Sequence, residues 1–139
     1  MNAVHVQIGD WLGLEAPVTD EEALRIVEDR LAPSSIKRLI ALGLEKSELD
    51  ELVIHSRTLQ HRRSRREKLT VEESDRVLRM IRVLSRAQSI YDSRERALAW
   101  LRRPSPRLDD RTPISLLKTD AGSRIVEELL IQIDEGMFV

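Results

Sequence analysis

Between Arg57 and Lys68 the chain carries Arg57, Arg62, Arg63, Arg65, Arg66 and Lys68 against a single Glu67. Interleaved with these cations, or just ahead of them, are His55, Ser56, Thr58, Gln60 and His61. Arginine and glutamine can bond the edge of a base in pairs, and serine or threonine reach phosphate oxygens. A run of cations follows a phosphate backbone and releases its counterions. The chemistry open to this stretch is recognition of a polyanion. A solvated basic face on a helical bundle has the same composition, and on pattern alone both readings stand.

Other chemistry finds little support. The three histidines stand at 5, 55 and 61, and His61 is crowded by arginines, a setting for neither a metal ligand set nor a paired general acid. There is no cysteine, so no disulfide and no thiolate site can form. A glycine-rich phosphate loop and a His-Glu-x-x-His pair are both missing. Asp109-Asp110 could touch a cation or be solvated in a proline-rich connector. The expectation is no enzyme, no cofactor and no metal.

Charge is distributed unevenly although the net value is only -1. Opposite the basic block stands Glu127 to Glu135, with Glu127, Glu128, Asp134 and Glu135 and no cation. Two such surfaces suggest two different partners. A charged fraction of 34% with 3% aromatics over 139 residues describes a helix-rich protein with a thin core. A thin core gains from a second copy or a bound partner, and a homodimer is expected. No signal peptide and no run of membrane-spanning length is recognisable, so the expected setting is the cytoplasm, away from membranes.

The elements that must position these residues read as helices throughout. Residues 1–18 lack a clean period and form an unassigned leader, partly extended at Val4–Ile8. Thr19-Asp20-Glu21-Glu22 has the form of a capping box and opens a helix with Ala23, Leu24, Ile26, Val27 and Leu31 as its apolar positions. Pro33 begins a second helix, through Ile36, Leu39, Ile40 and Leu42, which Gly43 stops. Two short helices follow, at 47–53 and 56–63, joined by a tight turn in the manner of a helix-turn-helix. Leu49, Leu52, Ile54 and Leu59 would fix their angle, and His55, Ser56, Arg57, Thr58, Gln60 and His61 would be exposed near the start of the second.

Thr70-Val71-Glu72-Glu73 is another capping box and starts the longest helix, with a stripe of Val77, Leu78, Ile81, Leu84 and Ala87. A further start lies at Asp92–Glu95, leading to Ala97, Leu98, Trp100 and Leu101. Trp100 suits either the core or an interface. After the connector with Pro104, Pro106 and Pro113, a last helix from about Asp120 carries Ile125, Val126, Leu129, Leu130 and Ile133. Gly136 would cap it, and Met137-Phe138-Val139 then form an apolar tail, either packed on its own domain or offered to a partner. The reading is all-α, with a leader at 1–18, a helix-turn-helix domain at 19–68 and a small helical domain at 69–139.

The run Arg57-Thr58-Leu59-Gln60-His61-Arg62-Arg63, followed by Leu69 to Arg79, resembles antitoxins of the Xre/MbcA/ParS type. So does the ordered series Ala97, Trp100-Leu101, Pro104, Leu108, Pro113, Leu116-Leu117, Thr119, Gly122, Val126, Leu129, Ile133 and Gly136. The resemblance covers about residues 36–139. It implies an amino-terminal Xre-like domain that binds operator DNA, and a carboxyl-terminal domain that neutralises a RES-domain toxin. Such toxins deplete NAD or modify proteins with ADP-ribose. Two positions depart from the family: Val53 stands where the turn usually has glycine, and Asp109-Asp110 where a glycine pair is frequent.

Within that resemblance the DNA-binding residues would be His55, Ser56, Arg57, Thr58, Gln60, His61, Arg62, Arg63, Arg65, Arg66 and Lys68. The toxin-binding residues would be Gly136, Met137, Phe138 and Val139, the glycine redirecting the chain so that the apolar side chains and the Val139 carboxylate enter the toxin's NAD site. A different class of function also fits: a helix-turn-helix transcriptional regulator whose carboxyl-terminal domain only dimerises. An interaction module with no nucleic-acid role is a third.

Overall fold

Eight α-helices follow one another in the described residues, 3–15 and 18–136 of a computed structural model. They are α1 (Ala3–Leu12), α2 (Asp20–Asp29), α3 (Ser34–Ala41), α4 (Lys46–Leu52), α5 (Ser56–Ser64), α6 (Val71–Tyr91), α7 (Arg94–Leu101) and α8 (Asp120–Asp134). Two 3-10 turns, Pro106–Leu108 and Pro113–Lys118, lie between the last two helices. Among the described residues no strand forms, and none of the helices is long and apolar enough to cross a membrane. The chain divides into two compact units, Met1–Leu78 and Arg79–Val139, the boundary falling inside α6.

In the first unit the helix starts follow local chemistry. The Thr19 hydroxyl accepts the Glu22 N–H at 3.2 Å, and the Thr70 hydroxyl accepts that of Glu73 at 3.1 Å. The Glu73 carboxylate reaches back to the Thr70 N–H at 2.7 Å, completing that capping box. Val4–Ile8, expected to be partly extended, is instead helical as part of α1. A helix sets Ile8 and Trp11 one turn apart, and both are buried where α1 packs on α3. That burial outweighs the strand preference of valine and isoleucine. The Arg38 guanidinium adds a bond from α3 to the Asp10 carbonyl at 2.7 Å.

Ile36, Leu39, Leu44, Leu49, Leu52, Val53, Ile54, Leu59 and Leu69 are all buried in this unit. Leu24, expected on the apolar face of α2, is 59% exposed. In a ten-residue helix, Ala23 is buried and Ile26 and Val27 are half-buried, which turns Leu24 outward.

The second unit is built on the later turns of α6, α7, the 3-10 turns and α8. Ala97, Leu98, Leu101, Leu116, Leu117, Val126, Leu129 and Leu130 are buried, with α8 packed on Pro113–Lys118. Ile125, expected in the same stripe, is 53% exposed. Trp100 is half-buried and stacks on Tyr91, ring centroids 6.0 Å apart. The connector doubles back at Asp109-Asp110, both left-handed at φ 56° and 60°, and the Ser105 N–H meets the Arg111 carbonyl at 3.0 Å. Gly122 opens α8 directly against the Leu116 carbonyl, 2.0 Å from where a Cβ would stand.

Candidate nucleic-acid interface

Inside the first unit α4 and α5 meet at a turn formed by Val53, Ile54 and His55. Val53 has φ -124°, so the turn needs no left-handed residue and no glycine. Its side chain is buried, and its carbonyl accepts a bond from Arg76 Nη1 at 3.0 Å. An α6 side chain thus satisfies the turn's backbone.

The start of α5 is held by Asp50, in the last turn of α4. Its Oδ1 accepts the Ser56 N–H at 2.7 Å and the Ser56 hydroxyl at 2.9 Å, and its Oδ2 lies 3.8 Å from His55 Nδ1. The Ser56 N–H, then its hydroxyl, and the neighbouring His55 outweigh slight desolvation and hold the Asp50 carboxyl below the usual aspartate range. A carboxylate at a helix start also suits the backbone dipole.

The end of α5 is tied to α6. Arg62 places Nε and Nη2 on the two oxygens of Glu73, each at 3.3 Å, and Nη1 lies 3.6 Å from Glu67. Burial pushes the Glu73 carboxyl up, but the Thr70 N–H, the Arg62 guanidinium and the Thr70 hydroxyl together bring it below the ordinary glutamate range. The Glu67 N–H returns to the Arg62 carbonyl at 2.9 Å and that of Arg66 to Arg63 at 3.1 Å, which ends the helix with Arg66 left-handed at φ 53°. Lys68 is also engaged, donating to the Asp29 carbonyl at 3.0 Å, while Arg30 Nε donates to the Leu69 carbonyl at 2.6 Å.

Of the residues expected to bind DNA, the structure gathers His55, Ser56, Arg57, Gln60, His61 and Arg63 on the exposed side of α5, with Thr58 half-buried. Arg65 and Arg66 are exposed just beyond it. Arg57, Thr58, Gln60, His61 and Ser64 line an open groove of about 600 Å³. Gln60 and Arg63 border a smaller cleft of about 320 Å³ together with Lys46, Asp50 and Ser56, over a floor that includes Ile36, Ile40 and Leu49. Arg62 stands apart, because its guanidinium is turned in to Glu73.

Sequence reasoning missed Asp50, Glu73 and Arg76 as the groups that pose α5. Only Glu73 carried a signal, the capping box, and nothing in it announced a partner eleven positions earlier. Among the described residues no group of three or more His, Asp or Glu is placed to hold a metal ion.

In the second unit Gly136 follows α8 at φ 75°, its N–H bonded to the Ile133 carbonyl at 3.0 Å. Met137, Phe138 and Val139 lie outside the described residues.

The two units coincide closely with two family models. Residues 22–82 match the antitoxin Xre-like helix-turn-helix domain, and residues 86–136 the antitoxin Xre/MbcA/ParS C-terminal toxin-binding domain. Antitoxin Xre of Pseudomonas putida is 33% identical over 118 residues, spanning 85% of this chain and 74% of that protein. Antitoxin Xre of Yersinia enterocolitica is 35% identical over 86 residues, 61% of this chain and 58% of that one. A Sphingobium protein named Prs ADP-ribosylating antitoxin is 28% identical over 128 residues, 84% of this chain and 80% of its own length. These relatives are antitoxins of toxin-antitoxin systems and not enzymes. With a helix-turn-helix unit followed by a toxin-binding unit, this chain belongs to the Xre antitoxin family.

Proposed function

We propose that this antitoxin works through two surfaces: the outward side of α5 binds operator DNA and represses the antitoxin's own operon, and the second unit neutralises a RES-domain toxin in the cytoplasm. The observation that carries the reading is the exposed set of Arg57, Gln60, His61 and Arg63 on a helix posed from both ends. Arg57 and Gln60 would face base edges, while Arg63, Arg65 and Arg66 would meet phosphates. A homodimer would present two such helices to paired half-sites.

Neutralisation is assigned to the segment that leaves α8 at Gly136. Met137 and Phe138 would fill the apolar part of the toxin's NAD site, and Val139 would follow them in. The name of the Sphingobium relative favours a toxin that transfers ADP-ribose over one that only degrades NAD. The match of residues 86–136 to a toxin-binding domain weighs against a unit that serves dimerisation alone.

Co-expression with the product of the adjacent gene, followed by purification, tests the reading. The expected result is a stable complex, normal growth and preserved NAD. A neighbouring product that neither harms cells nor binds this chain would contradict it.

A further inference from the structure

We infer that Asp50 limits DNA affinity by repulsion: its carboxylate, fixed on the reading side of α5, weakens the grip on DNA of every sequence and leaves discrimination to the base-facing side chains. The inference rests on the proposal that α5 binds DNA. Three observations carry it. The carboxylate is placed by geometry and cannot swing clear without losing two short bonds to Ser56, at 2.7 and 2.9 Å. It stays in the open, its side chain 44% exposed. It also borders the same cleft as Lys46, Gln60 and Arg63, so an anion drawn in by those residues meets Asp50 as well.

A helix start with a basic surround would ordinarily attract a phosphate. Here that place already holds a negative charge, and the bonds from Ser56 keep it ionised near neutral pH. A phosphate within a few ångströms of it is repelled, by an amount that screening by water and salt keeps small. Such repulsion acts on every DNA sequence. It therefore lowers operator and non-specific binding alike, while contacts from Arg57 and Gln60 to matching base edges act only on the operator and set the ratio between the two.

A cap of purely structural value predicts the opposite sign when it is weakened, so substitution separates the two. Asp50→Asn keeps an oxygen to accept from Ser56 and removes the charge. Binding of the dimeric protein to the DNA upstream of its gene, and to an unrelated duplex of equal length, would be measured across a salt series. The expected outcome is binding about five-fold tighter on both duplexes at low salt and a steeper salt slope, with the ratio of operator to unrelated affinity unchanged. Asp50→Glu, which retains charge, should bind both duplexes with the parent's affinity and salt slope.

If Asp50→Asn does not fold, as judged by its thermal transition, Asp50→Gln provides the same comparison. A neutral variant that binds no tighter than the parent, or more weakly, overturns the inference while leaving the DNA-binding proposal intact. A parent that binds neither duplex overturns both.

Discussion

Asp109 and Asp110 occupy consecutive left-handed backbone positions, φ 56° and 60°, where glycine carries no Cβ penalty. Aspartate tolerates that region better than most residues, so the connector keeps a glycine-type shape at a small cost. Asp109→Gly should therefore stabilise the protein by about 0.5 kcal/mol, after the entropy that glycine restores to the unfolded chain is deducted. A higher denaturant midpoint with an unchanged slope would check this. Gly122 presents the reverse case. A Cβ there would stand 2.0 Å from the Leu116 carbonyl oxygen, a backbone atom that cannot turn aside. Gly122→Ala should cost roughly 2 kcal/mol or more through overpacking. A thermal transition unchanged from the parent would contradict the close approach of α8 to Pro113–Lys118.

At the scale of elements, α5 separates two arginines that sit side by side in the sequence. Arg62 belongs to the fold and Arg63 to the surface, so their substitutions should part company. Arg62→Ala leaves the largely buried Glu73 without its guanidinium and should destabilise by about 2 kcal/mol, discounted because both side chains retain some solvent contact. Arg63→Ala should leave the unfolding transition in place, weaken DNA binding and flatten the salt slope by about two for a dimer.

Acid provides a separate check on the same junction. Glu73 is held below its unfolded value, so its contribution is fully present above the ordinary glutamate range near pH ~4.3 and is lost as pH falls through the lower folded value. Arg62→Ala removes one of the groups that lower it, so the folded value moves back towards the unfolded one and the variant, already less stable at neutral pH, should lose less further stability on acidification. Circular dichroism across pH 2–6, a range of about four units around that reference value, would follow both proteins.

The same helices show what a sequence discloses. The Thr70 capping box, the Thr19 hydroxyl cap and the last glycine stop were legible, because each is satisfied within a few residues of itself. Asp50 was not, since its partner Ser56 lies across a turn whose geometry the pattern does not state. Arg62 was read with its neighbours because charge runs display composition and not direction. α1 was read as partly extended because burial of Ile8 and Trp11 depends on α3, far along the chain.

For the whole molecule, the order of units was legible in the ordered family pattern, whereas the outward turn of Leu24 and Ile125 was decided by packing that periodicity alone does not resolve. A homodimer is the expected assembly. Light scattering at micromolar concentration, without DNA or toxin, should give twice the chain mass. If each subunit neutralises about four phosphates, the dimer's log–log salt slope should be on the order of -7.

In the proposed function, DNA binding and neutralisation reside on separable surfaces. Growth of cells expressing the adjacent toxin tests this most directly, with three forms of the antitoxin supplied in turn and their operator binding known. The intact chain should restore growth and bind the operator. Arg57→Ala with Arg63→Ala should restore growth and lose the operator, while removal of residues 137–139 should retain the operator and fail to restore growth. Growth restored equally by the intact and shortened chains, or lost with the α5 substitutions, would contradict the account.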